Sequence, residues 1–543
     1  MPFALSAEAL QWVDSVFSSL TFEEKIAQLL HPIGGQRSLE DWEKLLKKVP
    51  VGAIFWNKVN PDEFEKLARD LQSISKVPVI MSGDLEHGAL TLTGKCTVFS
   101  DLMSFGACNN PEYVRQMARI TALESRSRGL HWALAPVIDL NLNPENPITN
   151  TRAFGDDPDK IIPLFRAFIE GIQQDGLLAA CCKHFPGDGV DNRDQHMLTS
   201  INSLPFDQWQ QLYGRVWKEA IAAGTFSVMA GHISLPDYQG CQDDPDSAMP
   251  ATLSRELQTD LLRNELGFKG VLVSDAFPMV GFTSRLPEKD LGWTNIQNGS
   301  DSLLFADPEK DFEFLLRAVD EGKLTEERIN ESVKRLLTMK AALNLHKDCF
   351  APALTGEDLA RHQQFAEKIA DEAVCVIREN KEVVPVAKEK LQKVLTISLL
   401  RNDHVLPDPD LETVDAELRA RGIHVDHLRN PERRIISEIY GKYDRIFINI
   451  PSLSHANLSL QLTGNQMMFF WHYRFNDLKN KFVFTSFGTP YTLYYQPYLD
   501  NLICVWGISQ VSQKAAVRAW LGEIPMNGKM PVRPHKTRIK RYE

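Results

Sequence analysis

Among the eight cysteines of this chain, at 96, 108, 181, 182, 241, 349, 375 and 504, no two stand in a CxxC pair. Zinc ribbons and dithiol redox sites need that spacing, so neither is supported. Scattered thiols fit a reducing compartment, and a cytoplasmic protein is expected. Adjacent Cys181 and Cys182 lie in the apolar run GLLAACC (176–182) and read as small core residues. No uninterrupted apolar run approaches the roughly 20 residues that cross a bilayer. The first residues, MPFALSAEALQWVDSVF, have no basic segment and carry acids early, unlike a signal peptide. Positive charge is not in excess either. The net charge is −11, which argues against a general binder of nucleic acid or anionic membrane. The basic tail KTRIKRYE (536–543) reads as a solvated terminus. Short repeats and long low-complexity segments are also missing.

What remains is an ordinary globular composition, 43% hydrophobic and 24% charged over 543 residues, too long for one core. The first two thirds repeat one pattern, a short apolar run followed by a helix-like stretch. The runs are VGAIFW (51–56), VPVIMSGD (77–84), HWALAPVID (131–139), GLLAACCKHF (176–185), TFSVMAGHI (225–233), GVLVSDAF (270–277) and DSLLFA (301–306). Between two of them, Ile162, Phe165, Phe168 and Ile169 recur at helical spacing in 159–176, with a Gly at the end. Apolar strands alternating with amphipathic helices imply parallel strands with a covered outer face. Seven such units suggest a (β/α)8 barrel, with an open doubly wound sheet as the alternative. Polar residues favour the barrel. Asp84, Asp139, Lys183-His184, His232 and Asp275 all fall at the C-terminal ends of their runs, which a barrel gathers on one face. We therefore expect a TIM-barrel catalytic domain over 1–350, a linker over 351–370, and a three-layer α/β sandwich domain over 371–543. The last reads from AVCVIREN, KVLTISLL, the helix DLETVDAELRARG, YDRIFINI, KFVFTSFGTPY, NLICVWGIS and the helix SQKAAVRAWLGEI.

Two stretches carry candidate chemistry. Asp275, in GVLVSDAFPM (270–279), could cap the next helix. It could also be a carboxylate held at the barrel mouth to attack an anomeric carbon. The second stretch is KHFPGDGVDNRDQH (183–196), with two His and three Asp around a Phe-Pro-Gly turn. A metal could use His184, Asp188, Asp194 and His196, but no HExxH-like spacing supports one. A solvated loop suits Asp191 and Arg193, yet fits poorly with Lys183-His184 where the strand should still be buried. The third reading is acid/base chemistry: Asp194 can reach the imidazole of His196 at i, i+2 and fix its tautomer. Gly187 and Gly189 would let such a loop swing.

Several motifs resemble those of the β-N-acetylglucosaminidase branch of glycoside hydrolase family 3. KHFPGDG…DQH is similar to its KHFPGHG…DSH, and DLEHG (84–88) to its DxExG. APVIDLNLNPENPITNTRAFGDDP (135–158), PATLSRELQTDLLRNELGFKGVLVSDAFPM (250–279) and GEIPMNGKMPV (522–532) follow in that family's order. The resemblance implies a TIM barrel followed by an α/β sandwich, and a retaining double displacement. It implies Asp275 as nucleophile, Asp194 and His196 as the acid/base pair, and Asp84, Arg152, Lys183 and His184 as sugar-binding groups. Asp188, Met229 and His232 complete the expected substrate-binding set. Departures fall at Asp188, where the family has His, at Gln195, where it usually has Ser, and at Phe277-Pro278. The expected activity is exo-release of terminal β-N-acetylglucosamine, with β-glucosidase, β-xylosidase or β-glycoside phosphorylase as alternatives and a silent sugar-binding protein as the non-enzymatic one. No cofactor, metal, nucleic acid or membrane is expected, only a small glycoside. Monomer and homodimer are equally compatible.

Overall fold

The computed structural model describes residues 5–35, 37–400, 411–432, 435–439, 441–451, 468–471, 473 and 479–533. The basic tail 536–543 lies outside them. The chain divides into two compact units. The first takes residues 1–97, 111–146 and 158–360; the second takes 98–110, 147–157 and 361–543. The chain thus leaves the first unit twice before the linker, which a division at one boundary does not describe.

The first unit is built on eight short parallel strands: β1 (Leu30–His31), β2 (Ala53–Phe55), β3 (Ile80–Gly83), β4 (Trp132–Ala133), β5 (Ala179–Phe185), β6 (Ser227–Ala230), β7 (Val271–Ser274) and β8 (Leu303–Leu304). Strands β2 to β7 pair in sequence order. A bridge between Val273 and Ser302 joins β8 to β7, one between Ile33 and Phe55 joins β1 to β2, and β8 pairs with β1. The ring is closed, and the fold is a TIM barrel. Every strand residue is buried, because helices cover the outer face and side chains fill the inside. Hence the strands read as unbroken apolar runs, and Cys181 and Cys182 have no exposed surface. β1 escaped the sequence reading. It is two residues long and follows the helix Phe22–Ala27 after only two residues.

Helices follow the strands in turn. Pro111–Ser127 and Pro158–Gln173 pack against each other. The second buries Phe165, Phe168 and Ile169 as their spacing requires. It stops where Asp175 and Gly176 turn to positive φ, a conformation that suits glycine and ends a helix.

At the N-terminal end of β8 one carboxylate holds several elements. Asp301 has no exposed surface and accepts from Arg263 Nη2 (2.8 Å), Arg328 Nη2 (2.7 Å), Arg335 Nη1 (3.0 Å), Ser332 Oγ (2.8 Å) and the Leu272 N–H (2.9 Å). Burial alone would raise this carboxyl. The three guanidiniums and the Leu272 N–H reverse that and hold it well below the usual carboxylate range. A depressed folded-state pKa means the stabilisation is in place above the unfolded value of about 3.9 and is lost as pH falls below it. Asp301→Ala leaves three guanidiniums around an empty site and should cost about 3–5 kcal/mol of stability. Urea unfolding at pH 7 measures this, and an unchanged midpoint would refute it.

The second unit is a second α/β domain. Its strands are β9 (Cys375–Arg378), β10 (Lys393–Ser398), β11 (His424–Arg429), β12 (Arg445–Ile450), β13 (Phe482–Ser486) and β14 (Leu502–Cys504). They form one sheet in the order β9-β14-β13-β12-β10-β11, parallel except for β9. Leu395, Ile397, Ile446, Ile448, Phe482 and Phe484 form its core on one face. The helices Glu412–Ala420 and Gln510–Trp520 pack against each other. β11 was not anticipated. As an edge strand it reads HVDHLR, with only Val425 buried. Among the described residues, no helix is long and apolar enough to cross a membrane.

Candidate active site

Four of the polar residues at the C-terminal strand ends form two pairs, Lys183 with Asp84 and His184 with Asp139. β5 runs through Phe185, so Lys183 and His184 are strand residues and are almost wholly buried, at 2% and 4% exposure. Lys183 Nζ lies 2.9 Å from Glu86 Oε1 and 3.1 Å from Asp84 Oδ1. A buried ammonium needs such compensation. Glu86 is itself buried, whereas about half of the Asp84 side chain faces solvent. His184 Nδ1 contacts Asp139 Oδ2 at 2.8 Å. A carboxylate accepts, so Nδ1 carries the proton, and Nε2 lies on the other side of the ring. Asp139 also accepts from the N–H groups of His184 (3.2 Å) and Asp188 (2.8 Å), fixing main chain and imidazole together.

Asp275 directly follows β7 and is 9% exposed. It is not a helix cap. The next helix begins at Val280 with Met279 at its N-cap. The carboxylate accepts instead from the neighbouring Ala276 N–H at 2.7 Å. Burial would raise its pKa, but His232, His184, the Ala276 N–H and Lys183 together outweigh it and hold the carboxyl below its ordinary value. The result is a carboxylate that favours its ionised form although buried.

His232 was expected to bind substrate, and its geometry corrects that. It has no exposed surface; Nε2 meets the Ala276 carbonyl at 3.0 Å and Nδ1 meets Thr252 Oγ1 at 2.9 Å. Both nitrogens are taken by the protein. Since a carbonyl can only accept, Nε2 is the protonated one. Burial lowers the His232 pKa despite nearby Asp275. The imidazole, held at both nitrogens, therefore braces the turn that carries Asp275. Met229, in β6, is 2% exposed.

Asp194 has no exposed surface, and its Oδ1 accepts from both His196 Nδ1 (2.7 Å) and the His196 N–H (2.8 Å). The imidazole itself is half exposed. The pair thus joins a half-exposed ring through Nδ1 to a buried carboxylate. Gly187 and Gly189, which composition suggests as a hinge, are each bonded to the surrounding protein. Gly187 sits at φ +132°, where a Cβ would fall 2.1 Å from the Tyr213 ring. Its carbonyl accepts from Asn202 Nδ2 at 2.9 Å, and that of Gly189 from the Asn143 N–H at 2.9 Å. At Gly187 the close approach of the Tyr213 ring requires glycine. Asp191 is likewise structural, accepting from the Ile201 N–H at 2.9 Å. Arg193 reaches Asp246 at 2.6 Å.

Asp188 was expected beside the sugar. It is 2% exposed and its carboxylate takes three protein donors: Asn146 Nδ2 (2.8 Å), the Gly189 N–H (2.6 Å) and Gln195 Nε2 (2.6 Å). Burial and then Asp139 push its carboxyl up to about 6. Its acceptors are committed to the protein, which corrects the expectation that it contacts substrate. Among the described residues, no group of three or more His, Cys, Asp or Glu side chains is placed to hold a metal ion.

A barrel whose strand ends carry a buried carboxylate, an Asp–His pair and a Lys–carboxylate cluster can be compared with known proteins. The sequence model of the glycosyl hydrolase family 3 N-terminal domain matches residues 21–339. The chain belongs to glycosyl hydrolase family 3. This family 3 hydrolase is 31% identical to the β-N-acetylglucosaminidase/β-glucosidase of Cellulomonas fimi, over 98% of this chain and 97% of that one. It is 27% identical to β-hexosaminidase A of Pseudoalteromonas piscicida, over 60% and 59% of the two chains. Among solved structures, the β-glucoside phosphorylase BglX bound to 2FGlc superposes with a TM-score of 0.87 at 29% identity, covering 98% and 97%. A family 3 β-N-acetylglucosaminidase from a Paenibacillus species gives 0.84 at 25% identity, covering 95% and 99%.

In this family 3 hydrolase the barrel brings together Asp84, Lys183, His184, His232 and Asp275, all at strand ends. Arg152 lies in a short turn, Asn150–Arg152, that belongs to the second unit. Sequence reasoning assigned no role to Glu86, Asp139 or Gln195. Glu86 stood inside DLEHG, and Gln195 stood between the two members of the Asp–His pair. Glu86 and Asp139 meet partners far along the chain, and no local pattern marks such contacts.

Proposed function

We propose that this enzyme is a retaining β-glycosidase that releases terminal β-N-acetylglucosamine, and accepts β-glucosides more slowly. Asp275 attacks the anomeric carbon while the bond to the aglycone oxygen breaks and His196 gives that oxygen a proton. Water then attacks the same carbon, its proton passes to His196, and the bond to Asp275 breaks. Two inversions restore the β configuration. Lys183, His184 and Asp84 hold sugar hydroxyls at the strand ends, with Arg152 assigned by its motif. The observation that carries this reading is the place of Asp275, a buried carboxylate at the C-terminal end of β7 that accepts from the Ala276 N–H. The full-length likeness to an enzyme named for both sugars supports the substrate class. A cytoplasmic setting is part of the proposal, supported by eight free thiols.

The deciding experiment is a panel of aryl β-glycosides (GlcNAc, GalNAc, glucose, xylose, glucosamine), each assayed with water and with phosphate as acceptor. The highest kcat/KM is expected on GlcNAc, with a β-configured sugar as first product. An α-configured first product would sink the retaining mechanism. A sugar 1-phosphate formed in preference to free sugar would reassign the acceptor. That alternative is chemically open because His196 does not repel an approaching phosphate as a carboxylate would.

A further inference from the structure

Gln195 stands between Asp194 and His196, and its side chain spans the segments that follow β5 and β6. It is 1% exposed. Its Oε1 accepts from the His232 N–H at 2.7 Å, just beyond the end of β6. Its Nε2 donates to Asp188 Oδ2 at 2.6 Å, just beyond the end of β5. The orientation of this amide is fixed by chemistry. A main-chain N–H can only donate, so the amide oxygen faces His232 and the NH2 faces Asp188. Asp188 must then accept there. Its other oxygen accepts from Asn146 and the Gly189 N–H. Asp188 is immobilised in turn: its N–H donates to Asp139 at 2.8 Å, and its carbonyl accepts from Tyr213 Oη at 2.5 Å. The backbone on either side of the Gln195 side chain is pinned as well, since Gln195 and His196 carbonyls accept from the N–H groups of Gly281 (3.2 Å) and Val280 (3.0 Å).

We propose that Asp188 and Gln195 are a matched pair of positioning residues that aims His196 at the leaving-group oxygen. Asp188 is an acceptor-only socket, Gln195 is the strut seated in it, and the Asp194–His196 pair rides on the strut. The two positions are also where this chain departs from the KHFPGHG…DSH pattern, and they depart together. The inference rests on the reading of His196 as the proton-transfer group.

The hydrogen-bond logic supplies its own test. In Asp188→Asn, an NH2 faces either the Gln195 NH2 or the donors Asn146 and Gly189, and turning Gln195 over only moves the clash to His232. In Gln195→Glu, two carboxylates face each other. In the double variant, Asp188→Asn with Gln195→Glu, every group pairs again. The new amide at position 188 donates to the new carboxylate at position 195, that carboxylate accepts from the His232 N–H, and the total charge is unchanged. The readout is kcat/KM on two aryl β-glycosides. A dinitrophenyl glycoside leaves without a proton, and an unactivated phenyl glycoside needs one. Each single variant should lose about 10- to 100-fold on the phenyl glycoside and far less on the dinitrophenyl glycoside. The double variant should regain most of that loss. Gln195→Ala, which removes the strut without a clash, should show the same leaving-group dependence and serves if a single variant fails to fold. Equal losses on both glycosides, or a double variant no better than the worse single one, would overturn the proposal. His196→Ala run alongside separates the two claims. If it shows no leaving-group dependence, the assignment of His196 fails and this inference falls with it. If it does and the double variant is not rescued, only this inference fails.

Discussion

Asp275→Ala should reduce kcat on every aryl β-glycoside by roughly 10⁴-fold or more, with the fold intact. The size of the effect follows from how the other carboxylates are used. Asp194 is bonded to His196, Asp188 to Asn146 and Gln195, Asp139 to His184, and Glu86 and Asp84 to Lys183. None of these can take over attack on the anomeric carbon without breaking its own contact. A small anion in the space left by the carboxylate should restore some turnover. Azide would enter from the face Asp275 occupied and give the α-glycosyl azide. Product configuration by NMR is the check. Undiminished activity in Asp275→Ala would remove the residue from its role, and a β-azide would contradict a direct attack from that face.

His196→Ala should produce the second largest effect, and a selective one. General acid catalysis contributes about 10²–10⁴-fold, but only where the leaving oxygen needs a proton. The expected result is a loss of that order in kcat/KM for phenyl β-glycosides and a much smaller one for dinitrophenyl β-glycosides. The imidazole is half exposed, so its removal should leave the melting temperature close to that of the parent. Asp194→Ala should show the same pattern in weaker form, since the imidazole remains but its orientation is lost. A uniform loss on both substrates would mean that His196 shapes the site without transferring a proton.

The barrel was legible because its strands are buried on both faces. Seven of the eight could be read as apolar runs, and the polar residues ending them marked the catalytic end. β1 was not, since two residues carry no periodicity. β11 was not, since an edge strand with His424, Asp426 and Arg429 does not look apolar. In the site, side chains at strand ends were visible as candidates. What their partners would be was not. Lys183 meets Asp84 across 99 positions of sequence and His184 meets Asp139 across 45. The same limit explains Gly187 and His232. Composition cannot tell a glycine required by a ring 2.1 Å from its missing Cβ from one that loosens a loop. Nor can it tell an imidazole that faces substrate from one whose two nitrogens are both spoken for.

The three arginines gathered on Asp301 lie at the N-terminal end of the barrel strands, and Lys183, His184 and Asp275 lie at the other. Substitutions at that end therefore leave untouched the contacts by which Asp301 ties β7 to two helices. The converse is a vulnerability concentrated in one place. A single change at Asp301 is felt by β7, β8 and two helices at once, so random mutagenesis should recover almost no tolerated substitutions there.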